Sequence, residues 1–429
     1  VSRNRVTVRA PLTRRAGAPT LGAVPKPPIR EVLASRGAAE SPVPIGATIG
    51  ILGGGQLGRM LGTAARALGY RIAILDPDPD CPAGAVADRQ VVAQYDDVAA
   101  AVELAAGCAV VTYELEHVSA ALVDTLDDGL PVRPGAFALR VTQDRLAERR
   151  FLASIDAPTA PWREVRTLDD LRVSAGELGS PLRLKAAIGG YDGRSQVRID
   201  GADGPAGIDA AWAALAPAAE RAGLLLESEL DFAAELSVVV ARDLAGRSAP
   251  FPPTHNRHDR GILVESVTPP PPPITGAVAD EAVELATRIA MELDVVGTLT
   301  AELFLLRDGS LVVNELAPRV HNSGHWTIDG ARTSQFEQHI RAICGLPLGS
   351  PDAHGPAAMV NLLGAGPQRP AELLGTEIAL ADPLVHLHVY DKRRVFERRK
   401  MGHLTVVGTD TADEALARAR AALGALRWG

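Results

Sequence analysis

The chain has 429 residues, 46% hydrophobic and 22% charged, with a formal net charge of −8. That length and apolar content suffice for two or three cores of ordinary domain size, so a multidomain globular protein is expected. The acidic balance argues against nonspecific nucleic-acid binding, which needs a basic face, and no apolar run approaches the ~20 residues of a membrane span.

Nor does the first stretch carry the apolar core of a secretory signal, so a soluble, cytoplasmic protein is expected. Cys81, Cys108 and Cys344 lie far apart and match no metal spacing; they read as reduced thiols. Residues 1–40 hold eight Lys and Arg against Glu31 and Glu40, with much Pro and Ala and no apolar period. Such a composition imitates an organelle transit peptide. The preferred reading of residues 1–44 is a disordered or non-native extension, with the organised protein beginning near Ile45.

Residues 47–78, ATIGILGGGQLGRMLGTAARALGYRIAILDPD, read as strand, glycine loop, helix and strand. Gly53, Gly55 and Gly58 satisfy G-x-G-x-x-G, and Asp76 stands where a Rossmann acid would hold a ribose. Alone, this favours a dinucleotide-binding dehydrogenase, although any tight strand-to-helix turn also selects glycines. CAVVTY at 108–113 is a buried strand that delivers Glu114 and Glu116 at its carboxyl end, where ligands sit in open α/β sheets. The alternative is a glutamate capping the next helix. PVRPGAFALRVTQDRLAERRFL then reads as a loop and a helix leading out of this domain.

A second unit starts near residue 151. PLRLKAAIGGYDGRSQVRI is a strand, a glycine-rich loop and a strand, a hairpin lid rather than a P-loop, because no G-K-[ST] opens a helix. Gly189, Gly190 and Gly193 let backbone N–H groups approach phosphate, and Lys185 adds a positive charge at the base of the lid. A plain flexible turn is the alternative. GLLLESELDFAAELSVVVARD places Glu227, Leu230 and Glu235 at and after a strand end, where glutamates are common. In PFPPTHNRHDRGILVESVTPPPPPI, His255 and His258 suggest a metal, but two histidines are not a site and the prolines argue for a loop. DEAVELATRIAMELD follows as an amphipathic helix.

LTAELFLLRDGSLVVNEL at 299–316 reads as two strands joined by Asp308-Gly309, the dipeptide a two-residue type I′ turn prefers. Pairing Arg307 with Ser310 and counting outward sets Glu302 opposite Glu315. Like charges facing across two strands are destabilising without a cation. Mg²⁺, usually held by one or two carboxylates plus substrate phosphates, fits such a pair. The alternative is a solvent-facing hairpin whose glutamates never meet. Arg319, His321, Asn322 and His325, crowded into the next loop, favour the first reading. Beyond it, SQFEQHIRAICGLPL reads as a helix, AAMVNLLG opens a β-rich tail, and six Lys and Arg lie between 392 and 400.

NELAPRVHNSGHWT resembles the metal-and-phosphate strand of the ATP-grasp enzymes, in the version carried by the N5-carboxyaminoimidazole ribonucleotide synthetase family. The likeness runs in order from about residue 48 to 408. It implies mixed α/β and α+β architecture with a Rossmann-like domain at 45–148 that binds no NAD. An ATP-grasp domain at 149–350 follows, with a lid lobe at 149–226, a hinge at 227–230 and a metal lobe at 231–350. A small β-rich domain would occupy 351–429.

For the nucleotide, the resemblance assigns Arg149, where the family typically has lysine, with Lys185, Gly190, Gly193, Glu227, Leu230 and Glu235. It gives Glu302 and Glu315 to Mg²⁺, for which Mn²⁺ is an acceptable substitute. Gln56, Leu57, Glu114, Tyr191, Asp192 and Asn322 fall to the ribonucleotide, and Lys392, Arg399 and Lys400 to its 5′-phosphate. Asp192, Arg319, His255 and Asn256 are the implied catalytic group, near bicarbonate and the amine. The family pattern V-R-P-G-R-K stands here as VFERRK, without the Pro-Gly. The implied activity is ATP-dependent carboxylation of 5-aminoimidazole ribonucleotide by a homodimer. A formate-dependent transformylase, a biotin carboxylase and a non-catalytic nucleotide-binding protein remain as alternatives.

Overall fold

A computed structural model describes residues 7–9, 41–189, 195–274 and 276–429. Thr7–Arg9 (β1), within the stretch expected to be disordered, pairs in parallel with Arg89–Val92 (β4). With Thr48–Leu52 (β2), Arg71–Leu75 (β3) and Cys108–Tyr113 (β5) they form a parallel sheet in the order β1-β4-β3-β2-β5. The runs IGIL, IAIL and VVTY are buried throughout, as strands covered on both faces must be. Helices α1 (Gln56–Ala67), α2 (Val98–Ala105) and α3 (Ala120–Asp127) flank it.

The segment expected as one helix leaving this domain is two, α4 (Ala136–Gln143) and α5 (Arg145–Ser154). Asp144 divides them because its carboxylate caps α5, accepting from the Leu146 N–H at 2.8 Å. The cap sets the phase of α5. Arg145, Glu148 and Arg149, at i, i+3 and i+4, share one face.

Trp162–Val165 (β6), Leu182–Ala186 (β7), Gln196–Ile199 (β8) and Leu224–Ser228 (β9) make an antiparallel sheet in the order β6-β9-β7-β8, backed by α6 (Leu168–Leu178) and α7 (Gly204–Ala222). Apart from the last residues of β9, this sheet falls within residues 149–226, the segment expected to form a lid lobe. Gly190, Tyr191, Asp192 and Gly193, expected in the glycine-rich lid, lie outside the described residues.

The third and largest sheet begins with Phe232–Arg242 (β10), Ser248–Pro250 (β11), Thr254–Asp259 (β12) and Ile262–Thr268 (β13). THNRHD is therefore a strand and not the expected loop. Arg260 and Gly261, at φ +46° and +78°, supply the two positive-φ positions of a tight hairpin turn. After α8 (Gly276–Glu292) come Gly297–Leu306 (β14) and Leu311–Ala317 (β15), then α9 (Gln335–Ile343). The chain closes with Ala357–Leu363 (β16), Val385–Val389 (β17), Lys400–Val407 (β18) and the helix Ala412–Ala425 (α10). β13 pairs with β16, so the C-terminal strands continue the same large sheet, in the order β15-β14-β10-β12-β13-β16-β18-β17 with β11 beside β10.

The lobes share a core. Ile49, Ile51 and Leu61 of the first sheet and α1 pack with Phe336, Ile340 and Ile343 of α9 in one apolar cluster. Within that seam His339 accepts from the Thr298 N–H at 3.2 Å through Nδ1, and its Nε2 lies 2.8 Å from Thr112 Oγ1. Burial pushes this imidazole down to about 3, so it bridges β5 and β14 as a neutral group.

Candidate active site

Glu302 on β14 does face Glu315 on β15, by a route other than the expected turn. Leu306 N–H donates to the Ser310 carbonyl, so Arg307, Asp308 and Gly309 form a three-residue loop with Gly309 at φ +89°. That shifts the register by one residue. A bulge between Glu302 and Leu303, opposite Asn314, shifts it back. The Glu302 carboxyl is raised by burial and by the charges of Glu315 and Glu235, against His258 and Lys400. Two facing acids, one of them pushed up by the other, are a donor set that suits a hard divalent cation. Among the described residues no cluster of three or more His, Cys, Asp or Glu could hold a metal, so a bound ion would draw its remaining ligands from substrate.

The pair opens into a cavity of about 880 Å³ between the lid sheet, the large sheet and the first domain. The nucleotide group converges there. Arg149, Lys185, Glu227, Leu230 and Glu235 all line it. Lys185 pairs with Glu227, and Arg149 reaches the same carboxylate at 3.1 Å. Arg149 also donates to Glu148 at 2.8 Å and to the Asn314 carbonyl at 2.8 Å. The guanidinium expected to touch phosphate thus ties α5 to β9 and β15.

Gln56, Leu57, Glu114, Arg319, Asn322 and Lys400 line the opposite wall. Asn322 is 8% exposed, and among the described residues neither its Oδ1 nor its Nδ2 has a hydrogen-bond partner, as expected of a group that awaits a ligand. Arg319 pairs with Glu116 at 2.7 Å. Burial alone would lower its pKa, but Glu116 raises it further, so it stays a cation.

The glycine loop does face an anion, and that anion is Glu114. Its carboxylate accepts from Gly55 N–H and Gly58 N–H at 2.5 Å each, and Gly54 N–H donates to Asp76 at 2.7 Å. Asp76 accepts further from Asp78 N–H and Tyr95 O–H. With these donors and Asp76 engaged within the protein, the dinucleotide reading loses both its pyrophosphate cradle and its ribose acid.

Among the described residues, four of the expected ones are not in the cavity wall. His255 points from β12 to the other face of the sheet from Asn256, and Asn256 lies beneath the wall, in a small side pocket with Glu302 and His258. Lys392 donates to the Lys400 carbonyl at 2.8 Å, and Arg399 donates to the Arg394 carbonyl at 2.6 Å. In VFERRK, Arg398 takes a left-handed φ of +64° and pairs with Asp259 at 2.8 Å, which anchors this loop to the β12–β13 turn.

The cavity also holds Arg145 and Glu148, which the sequence reading passed over, and His258, which it considered with His255 and set aside. Burial and Glu315 push the Glu148 carboxyl up to about 7 despite Arg149 and the Leu316 N–H. His258 Nδ1 lies 2.8 Å from Glu235; burial lowers its pKa, and that bond with the charges of Glu302 and Glu235 outweighs it. Reading THNRHD with a strand's period of two would have put Asn256 and His258, not His255, on the site face.

Residues 46–143 match the ribonucleotide synthetase preATP-grasp domain, 150–336 the ATP-grasp domain, and 357–418 the phosphoribosylaminoimidazole carboxylase C-terminal domain. The chain is 44% identical over 361 residues to an N5-carboxyaminoimidazole ribonucleotide synthase of Brucella melitensis, covering 84% of this chain and 96% of that protein. Against the synthase of Bacillus subtilis, identity is 41% over 366 residues, covering 84% and 91%. An ADP complex of an N5-carboxyaminoimidazole ribonucleotide synthetase superposes with a TM-score of 0.80 at 38% identity, over 89% of this chain and 98% of that one. The Aspergillus clavatus synthase in complex with ADP and 5-aminoimidazole ribonucleotide gives 0.79 at 29% identity, with the same coverage. A three-part ATP-grasp architecture, a cavity with facing acids at its centre and these likenesses over nearly the whole length agree: the chain belongs to the N5-carboxyaminoimidazole ribonucleotide synthase family.

Proposed function

We propose that the protein is an ATP-dependent carbon–nitrogen ligase of de novo purine synthesis. It joins bicarbonate to the exocyclic amine of 5-aminoimidazole ribonucleotide, giving N5-carboxyaminoimidazole ribonucleotide, ADP and phosphate. The observation that carries this reading is the cavity itself. Paired acids stand between a nucleotide-like wall of Lys185, Glu227 and Glu235 and an opposite wall with Arg319 and the unpartnered Asn322.

Glu227, Leu230 and Glu235 hold the nucleoside, and Lys185 with the lid glycines holds its phosphates. Glu302 and Glu315 hold Mg²⁺ or Mn²⁺, which neutralises charge building on the phosphoryl oxygens. A bicarbonate oxygen bonds to the γ-phosphorus as the bond to the ADP oxygen breaks, forming carboxyphosphate. Arg319 binds the bicarbonate and stabilises that transfer electrostatically. The amine nitrogen then takes the carboxyl carbon, directly or as released CO₂, and phosphate leaves. Asp192 accepts the amine proton and Tyr191 serves the same amine, while the lid keeps water from the carboxyphosphate. Gln56, Leu57 and Glu114 orient the ribonucleotide, and Lys392, Arg399 and Lys400 supply positive charge for its 5′-phosphate.

The working form is proposed to be a cytoplasmic homodimer; among the described residues no helix is long and apolar enough to cross a membrane. An ATPase assay with each substrate omitted in turn tests the activity. ADP should form rapidly only when bicarbonate and 5-aminoimidazole ribonucleotide are both present. Equal rates without the ribonucleotide, with formate in place of bicarbonate, or with biotin in place of the ribonucleotide, would overturn the assignment.

A further inference from the structure

His321 lies with its Nε2 3.3 Å from Glu302 Oε1, at the edge of the acid pair. Its Nδ1 receives the backbone N–H of Ser323 at 3.3 Å, a group that only donates, so Nδ1 is an acceptor and the ring proton sits on Nε2. The Ser323 hydroxyl, 2.9 Å from the same nitrogen, must therefore donate to it. Ser323 Oγ in turn accepts from Ser237 Oγ at 2.8 Å. Having given its only proton, Ser237 accepts from Asn256 Nδ2 at 2.9 Å. Asn256 Oδ1 accepts from Ser266 Oγ at 2.8 Å.

The chain of bonds has one direction, Ser266 to Asn256 to Ser237 to Ser323 to His321, and crosses three neighbouring strands before it ends at His321, whose Nε2 stands 3.3 Å from Glu302. Ser266, Ser237, Ser323 and Asn256 are each at most 3% exposed. Polar groups so placed are costly unless every one is bonded, and here each hands its proton to the next.

We propose that Asn256, Ser237 and Ser323 are positioning residues. They fix the tilt of His321, so that its Nε2–H faces Glu302 Oε1 and the other carboxylate oxygen is left to a bound ion. Partners of this kind orient a ligating carboxylate, and their loss typically lowers metal affinity about 10- to 100-fold. The inference rests on Glu302 and Glu315 being the metal ligands. It gives Asn256 a role in holding the metal site, away from bicarbonate.

Two measurements on the full chain test it. Mn²⁺ binding in the presence of ADP, followed by electron paramagnetic resonance, compares wild type with Ser237→Ala, Ser323→Ala and the double variant. Each single change should weaken Mn²⁺ binding by about tenfold, and the double variant should lose little more, because either cut severs the same chain. ADP affinity without metal should stay within about twofold of wild type. Single variants that bind Mn²⁺ as wild type does, or losses that multiply in the double variant, would overturn the proposal alone. A wild-type protein that binds no Mn²⁺ with ADP would overturn the metal site as well. Spectra of ¹⁵N-labelled histidine, with the His321 signals assigned through His321→Gln, should show the proton on Nε2. A proton on Nδ1 contradicts the chain without touching the ligase reading.

Discussion

Glu302 and Glu315 repel each other across two strands, a cost with no structural return unless a cation sits between them. Replacing Glu315 by Gln should lower the rate of ADP formation by about 100-fold or more while leaving the urea unfolding midpoint unchanged or raised. A variant that lost stability and kept its rate would mark the pair as structural. Arg149 works the other way. Its guanidinium bonds Glu148, Glu227 and the Asn314 carbonyl, and a lysine nitrogen has no planar fork for three such partners. Arg149→Lys should therefore cost about 1–3 kcal/mol in urea denaturation, from buried acceptors left short of donors. No change in midpoint would show the fork to be dispensable. Residues on strands flanking a glycine turn, such as Lys185, Glu302 and Glu315, were legible because a period of two fixes their face. Arg145 and Glu148 were not, because their direction depends on where Asp144 caps α5.

At the level of elements, the hairpin was legible and its turn was not. Asp-Gly signals a two-residue turn, yet Gly309 serves equally as the left-handed third residue of a longer loop. Nothing in VVNEL announces a bulge at Asn314. The expected acid pair still forms, because one extra residue in the turn is offset by one extra residue in the strand. The strand character of THNRHD was hidden by flanking prolines, and it decides which histidine reaches the site. Glu265 of β13 joins the C-terminal helix to the large sheet through Arg420, at 2.8 and 2.7 Å, and Arg257 at 2.8 Å. Burial would raise its carboxyl, but these arginines hold it down to about 2, against 4.5 when free. With the folded pKa depressed, the stabilisation is present above pH 4.5 and is lost as pH falls toward 2. The gap in urea midpoint between wild type and Glu265→Gln should be constant from pH 7 to 5 and close between 4.5 and 2. A gap independent of pH would show the clamp to be electrostatically silent.

For the whole molecule, three compositional blocks were legible, but the continuity of the third with the second was not. β13 pairs with β16, a contact between segments about ninety residues apart that no local pattern encodes. Likewise His339 reads as one more residue of an amphipathic helix, and only the packed structure places it between β5 and β14 as a neutral bridge. The result of this long-range assembly is one cavity walled by all three parts, where the proposed reaction brings bicarbonate and the end of a triphosphate to the same pair of acids. Transfer of label from ¹⁸O-bicarbonate tests that claim most directly. With ATP and 5-aminoimidazole ribonucleotide present, the released phosphate should carry one ¹⁸O for each carboxylation. Unlabelled phosphate released at the same rate would mean that water, not bicarbonate, attacks the γ-phosphorus, and the account of the site would be wrong.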